Sequence, residues 1–366
     1  AGLHAGFEIG AGGGELGLFD STGTIRIDEI GYSRQDPNIS YGRYPDGNDT
    51  WRLFAVPSPA SANVGTYQGF VGDVQFSHNR GFYEAPFTLT IACDTPGTTI
   101  YYSTDGTEPG VQGARGISGL AYRGPMTISH TTCIRARAIK AGWKPSKVDA
   151  QTYIFLDDVL AQSNNPAGFP SAWGSTAADY AMNQALIERH IATIKEDLKS
   201  IPTMSIVMKT DGLFGPDGIY TNWGNRGVDW ERPCSMEFFS PDGSEQVQVN
   251  CGIRIYGGVG RREKKKTLRL LFKATYGASK LRYPIFGDDA ADEFDTIILR
   301  ANFNDGYPWG AAASQFIRDE FMRRAQLLTG HPSPIGNFVH LYINGLYWGL
   351  YNPTQRPDTA FSATYY

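Results

Sequence analysis

The sequence predicts a multidomain, β-rich fold. Short runs of alternating apolar and polar residues recur along most of the chain, the period of half-buried strands. Forty-three glycines and an aromatic content of 13% suit strands joined by tight turns. A helical period replaces the alternation near residues 182–198 and 314–328. With 366 residues the chain has length for two or three domains.

Charge and motifs exclude several classes. A net charge of -4 argues against a general nucleic-acid binder, and no apolar run approaches the ~20 residues of a membrane span. No Walker A loop, G-x-S-x-G or H-E-x-x-H is present, and no pair of catalytic carboxylates stands out. The chain begins at Ala1, within what reads as a folded element. A piece of a longer protein is therefore expected, and the missing signal peptide says nothing about export.

Residues 1–64 read as a β module. Leu16 and Leu18 precede a turn through Asp20 and Gly23, with Ile25 and Ile27 after it. A second turn is expected at Pro45-Asp46-Gly47, followed by a buried Trp51. In residues 65–156, FTLTIAC, TIYYSTDG, CIRARAIK and DAQTYIF are spaced as in an all-β sandwich. Residues 157–200 read as a polar linker and one amphipathic helix. Met182, Leu186, Ile187, Ile191, Ile194 and Leu198 share its inner face, His190 is partly buried, and Pro202 ends it.

In residues 201–366, MSIVM is a buried strand. A turn at residues 240–243 sets a hairpin register in which Cys234 opposes Cys251, either as two buried thiols or as a disulfide. Then come a strand ending at Ile255, a turn through Gly257, Gly258 and Gly260, the cations Arg261, Arg262, Lys264, Lys265 and Lys266, and a strand through Leu268 and Leu270. A glycine turn beside clustered cations suits phosphate, although such a run is also what a solvated loop looks like. A helix over 314–328 is expected to turn Ile317, Phe321, Ala325 and Leu328 inward, with Glu320 beside them and Asp319 pairing Arg323. Asn344-Gly345 marks a hairpin.

Three resemblances add to this reading. LHAGFEIGAGGGELGLFD with SYGRYPDG resembles the second half of a lamin-tail-like domain, a partial immunoglobulin-like sandwich lacking its first strands. FSHNRGFYEAPFTLTI, TIYYSTDGTEPG and IRARAIKAGWKPS resemble the chitobiase/β-hexosaminidase C-terminal module, a fibronectin-like β-sandwich with its hairpin turn at Asp105–Pro109. Such modules accompany exported proteins, which implies an extracellular or cell-surface setting. Tyr101 and Tyr102 could stack on cell-surface carbohydrate, although strand tyrosines more often pack.

GIRIYGGVGR, KKTLRL, YGASKLRYPIFG, IILR with Asn304 and Asp305, IRDEF, and LYINGLYWGLYN with RPD resemble the CotH-type (spore coat protein H-like) kinase family over roughly residues 200–366. The resemblance implies an atypical protein kinase with an α+β kinase-like small lobe, transferring phosphate from ATP with Mg to a protein phosphoacceptor. It implies nucleotide contacts from Arg261 and from Lys265 or Lys266, with Glu320 as the helix carboxylate that orients the lysine. Gly260 and Gln355 depart from the family, which usually has serine and glutamate there. The family's metal ligands and catalytic aspartate would follow a hinge. The chain ends at Tyr366, so no catalytic residue or metal ligand is expected within it, and the piece alone is expected to be inactive. The competing reading is a non-catalytic surface adhesion or carbohydrate-associated protein with a degenerate kinase-like domain.

Overall fold

The computed structural model describes residues 9–10, 12–33, 35, 39–114, 116–301, 303–306 and 314–365. Most of the LHAGFEIG word of the lamin-tail resemblance lies outside them. The chain divides into two compact units, residues 1–70 with 141–144, and residues 71–140 with 145–366.

In the first unit, Gly14–Phe19 pairs antiparallel with Arg26–Tyr32 and sets Leu16 opposite Ile30. Asp20 organises the turn, its Oδ1 accepting from the N–H groups of Thr24 (3.1 Å) and Ile25 (3.0 Å). Ser40–Arg43, Trp51–Phe54 and Thr66–Tyr67 form a second, three-stranded sheet. Trp51 is half-buried rather than buried, with the Arg43 guanidinium stacked 4.9 Å from its ring.

The second unit begins with a sandwich. Its main sheet runs Leu120–Ala121, Thr99–Ser103, Thr132–Ile139, Asp149–Ile154 and Gly81–Phe82. Leu89, Ile128, Ile134 and Tyr153 fill its core. Seven strands then close a barrel: β1 (Thr203–Val207), β2 (Arg232–Phe239), β3 (Gln246–Ile255), β4 (Leu268–Leu271), β5 (Thr296–Arg300), β6 (Val339–Ile343) and β7 (Leu346–Gln355), in the order β1-β2-β3-β4-β5-β7-β6. β1 and β6 run parallel and complete the closure. Alternation sets the interior: Met204, Ile206, Met236, Ile253, Ile255, Leu268, Leu270, Ile297 and Leu299 are all buried within.

The β2–β3 register is the one the turn arithmetic required, with Cys234 opposite Cys251 and Phe238 opposite Val247. The two Sγ atoms lie 3.5 Å apart as free thiols inside the barrel. The Asn344-Gly345 turn forms with both residues at positive φ, and the Asn344 side chain bonds Met208 N and O at 2.8 Å each.

Residues 157–200 do more than connect. Trp173 and Tyr180 enter the barrel core with Phe214, Tyr220 and Trp348. Gln162 pairs with Tyr347 near the start of β7, accepting from its N–H at 2.8 Å and donating to its carbonyl at 3.2 Å. The single helix expected here is two short ones, Gln184–Arg189 and Ile194–Asp197, broken where His190 caps the first and Thr193 starts the second. Ile187 and Leu198 reach the core, while Leu186, Ile191 and His190 are exposed. The break between the two short helices interrupts the apolar period, so its residues do not form one buried face.

Sandwich and barrel meet through a buried ion pair. Glu237 on β2 is fully buried and accepts from Arg80 Nε (2.9 Å) and Thr152 N (3.0 Å), with a further short bond from the Thr152 hydroxyl. Arg80 also donates to Ala150 O (3.1 Å) and Gln246 Oε1 (3.1 Å). Burial pushes the Glu237 carboxyl up, and Arg80 opposes that. Glu237→Ala leaves Asp149, at 3.4 Å, as the remaining counter-ion of Arg80, so it should lower unfolding free energy by about 3 kcal/mol in urea titrations. A loss of about 1 kcal/mol or less would mean that the pair is solvated and the seam open.

Candidate functional site

The basic cluster that dominates the sequence turns inward. Arg261, in a short 3-10 turn over Val259–Arg262, is buried. It donates to three backbone carbonyls: Trp223 (2.7 Å), Ile255 (2.7 Å) and Asn225 (2.5 Å). Lys266 keeps the strand phase of Leu268 and Leu270, so its chain runs toward the barrel interior. Its ammonium caps the carbonyls of Arg261 (2.7 Å) and Glu263 (2.8 Å) above the Tyr220 ring. Lys265 takes the opposite phase and donates to Trp348 O at 2.5 Å, with its Nζ 5.1 Å from that indole ring. These bonds use donors a phosphate would need, and they fasten the loop to the barrel's aromatic plug.

Glu320 lies elsewhere. It sits on the Arg318–Leu328 helix and binds Arg323 (2.6 Å) and Arg324 (2.8 Å), with Asn352 at 3.4 Å. Burial alone would raise its pKa, but the bonds from the two arginines outweigh it and hold the carboxyl low. Among the described residues no ion pair joins Glu320 to Arg261, Lys265 or Lys266. The helix also departs from expectation in its facing. Ile317, Phe321 and Leu328 are exposed, Ala325 is half-buried, and Asp319 pairs with Arg300 rather than Arg323. Charged Glu320 and Arg323, bonded to each other and to Asn352, form the inward side; this polar docking outweighs the apolar period.

The outer face of the sheet makes a cleft instead. Arg254 on β3 and Arg269 on β4 are direct cross-strand partners, a costly arrangement for like charges. Arg254 is held by Glu231 at 3.3 Å, and Arg269 Nε donates to Thr296 Oγ1 at 2.9 Å. Burial, then the fields of Arg356 and Arg254, push the Arg269 pKa down. With Arg226, Arg261 and Arg356 they surround a cavity of ≈480 Å³ whose rim is the Gly257-Gly258 turn. Gly257 has φ 106°, and a Cβ there would point into open space, so the bare backbone faces the cavity. A second groove of ≈910 Å³ continues from it under the Arg318–Leu328 helix, sharing Tyr256, Gly257 and Arg356. Among the described residues, seven arginines and one carboxylate, Asp319, line the two. Such a surface favours anions.

Arg254 and Arg269 were missed in the sequence. Their signal was present: each is a lone cation at the outward phase of an apolar run, GIRIY and LRL. Asp305 is buried and accepts from the N–H groups of Gln315 and Arg318 at 3.1 Å each. The side chain of Asn304 lies outside what is described. Tyr102 packs edge-on against Tyr122 in the sandwich.

Residues 253–365 match the CotH kinase protein family. This stretch is similar to that family. It carries six of the seven cleft arginines, all but Arg226. Residues 78–150 match the chitobiase/beta-hexosaminidase C-terminal domain. No curated protein matches the chain. Both departures from the CotH pattern have a packing reason. A Cβ at Gly260 would stand 3.0–3.2 Å from Phe303. Gln355 is locked between Ile335 N (3.0 Å) and Tyr365 OH (2.6 Å).

Burial sets Lys265 and Lys266 at about 8, against an ordinary 10.5. Between those values the unfolded chain holds more protons than the native one, so stability should rise with pH there. Urea midpoints between pH 8 and 10 should climb for the native sequence and less so for Lys266→Met. Equal slopes would mean that the ammonium is solvated.

Proposed function

We propose that the cleft of the CotH-type region binds the phosphates of ATP and serves phosphoryl transfer to a protein acceptor. The Arg254–Arg269 pair beside the open glycine turn carries this reading. Two guanidiniums held side by side against their own repulsion gain most from a polyanion, and the turn lets that anion approach the main chain. The phosphate-contact role passes from Lys265 and Lys266 to these arginines. Arg261 contributes by fixing the loop, and Glu320 by fixing the helix over the groove.

ATP fits the residues present; the Mg the family implies is another matter. Among the described residues no group of three or more His, Cys, Asp or Glu side chains is placed to hold a metal ion. The family-implied metal therefore has no ligand set there. The sugar-enzyme type of accessory module supports an extracellular or cell-surface setting for the protein.

Calorimetric titration with ATP tests the reading. Arg254→Ala and Arg269→Ala should each weaken binding by about tenfold or more, the loss of a charge-assisted hydrogen bond. Neither should lower the melting temperature by much, since each removal relieves the arginine pair. Unchanged affinity in both variants, or no ATP binding by the native chain, would overturn it.

A further inference from the structure

Of the five arginines lining the glycine-turn cavity, Arg226 alone lies outside residues 253–365. It stands on a loop, residues 221–227, that is tied down at several points. Thr221 Oγ1 donates to Phe214 O (2.8 Å), and Asn222 Nδ2 to Pro216 O (2.7 Å) and Gly218 O (2.9 Å). Arg261 donates to the carbonyls of Trp223 and Asn225, just ahead of Arg226, and to Ile255 O at the end of β3. One buried guanidinium thus fastens this loop to a strand that borders the cavity. Arg226 itself is exposed, and among the described residues its side chain has no hydrogen-bond or ion-pair partner. Gly227 follows at φ 94° with open space where a Cβ would stand, so bare main chain adjoins it. The Arg226 charge is close enough to Arg261 to add to burial in pushing that arginine's pKa down.

Charge decides what can fill the cavity. Arg254 is held by Glu231 (3.3 Å) and Arg356 by Asp358 (2.5 Å). Among the described residues Arg226, Arg261 and Arg269 pair with no carboxylate, and none lines the cavity. Three uncompensated guanidiniums exceed the charge of a single phosphate, about −1.5 to −2. Two or three linked phosphates match them better. Arg261 contributes field alone, since its donors go to carbonyls. Direct contacts are left to Arg269 on its strand and to Arg226 on its loop.

We propose that Arg226 is a further phosphate contact, and that it selects a polyphosphate chain over a single phosphate. The inference rests on the reading of this cavity as the site of the ATP phosphates. It adds a contact from a loop that the family match does not reach.

The native chain, Arg226→Ala and Arg226→Lys would be titrated calorimetrically with orthophosphate, tripolyphosphate and ATP in metal-free buffer, with melting curves alongside. Arg226→Ala should bind tripolyphosphate and ATP about tenfold more weakly, and orthophosphate within about twofold of native. Arg226→Lys should lose less, since it keeps the charge. Melting should not change, because the side chain is exposed and bonds nothing in the protein; should Arg226→Ala melt lower, Arg226→Gln gives the same reading. An equal loss for orthophosphate, or unchanged affinity for tripolyphosphate, overturns the proposal. ATP binding that falls in Arg254→Ala and Arg269→Ala but not in Arg226→Ala removes this inference and leaves the ATP reading standing. Arg226-dependent binding of tripolyphosphate by a chain that does not bind ATP does the reverse.

Discussion

Closure of the barrel by the parallel pairing of Thr203–Val207 with Val339–Ile343 is the constraint on which the rest of the second unit depends. A closed sheet has no unpaired edge to protect, and it divides every strand into residues that face in and residues that face out. The inward set is apolar almost throughout, and aromatic rings from the preceding segment join its core. With the interior complete, the outward positions of β3, β4, β5 and β7 are available for chemistry. Arg254, Arg269 and Arg300 all stand there.

The same division explains why two kinds of cation occur within twenty residues of each other. Arg261, Lys265 and Lys266 give their donors to backbone carbonyls. A carbonyl carries only a partial charge, so these groups pay desolvation without a full counter-ion, and the lysines sit well below their ordinary pKa. They make the glycine turn rigid. The arginines of the outer face are held by Glu231, Asp319 and Asp358 or by Thr296, and their remaining surface lines the cleft. The held loop and the arginine-lined face bound the same cavity.

Much of the fold was legible in the sequence. Period-2 alternation located the strands, the turn at residues 240–243 fixed the β2–β3 register to the residue, and Asn344-Gly345 marked its hairpin. The helices were less legible. The stripe through Ile317, Phe321 and Leu328 has the right period and faces outward, because Glu320 and Arg323 find better partners on the barrel than those apolar groups do. Periodicity reports which residues share a face and is silent on which face is buried. At the site, clustering drew attention to Lys265 and Lys266, whereas the cleft is built by arginines scattered over strands that become neighbours only when the sheet forms. Spacing along the chain cannot show that.

The aromatic plug bears on how this protein can be divided. Trp173 and Tyr180 precede the first barrel strand by more than twenty residues, yet they belong to the barrel's core. A gene fragment beginning at the first barrel strand would encode a barrel without part of its core, and one stopping before Trp173 would leave those rings behind. Sandwich and barrel are therefore poor candidates for independent shuffling, and their recombination unit runs from the sandwich through the last barrel strand.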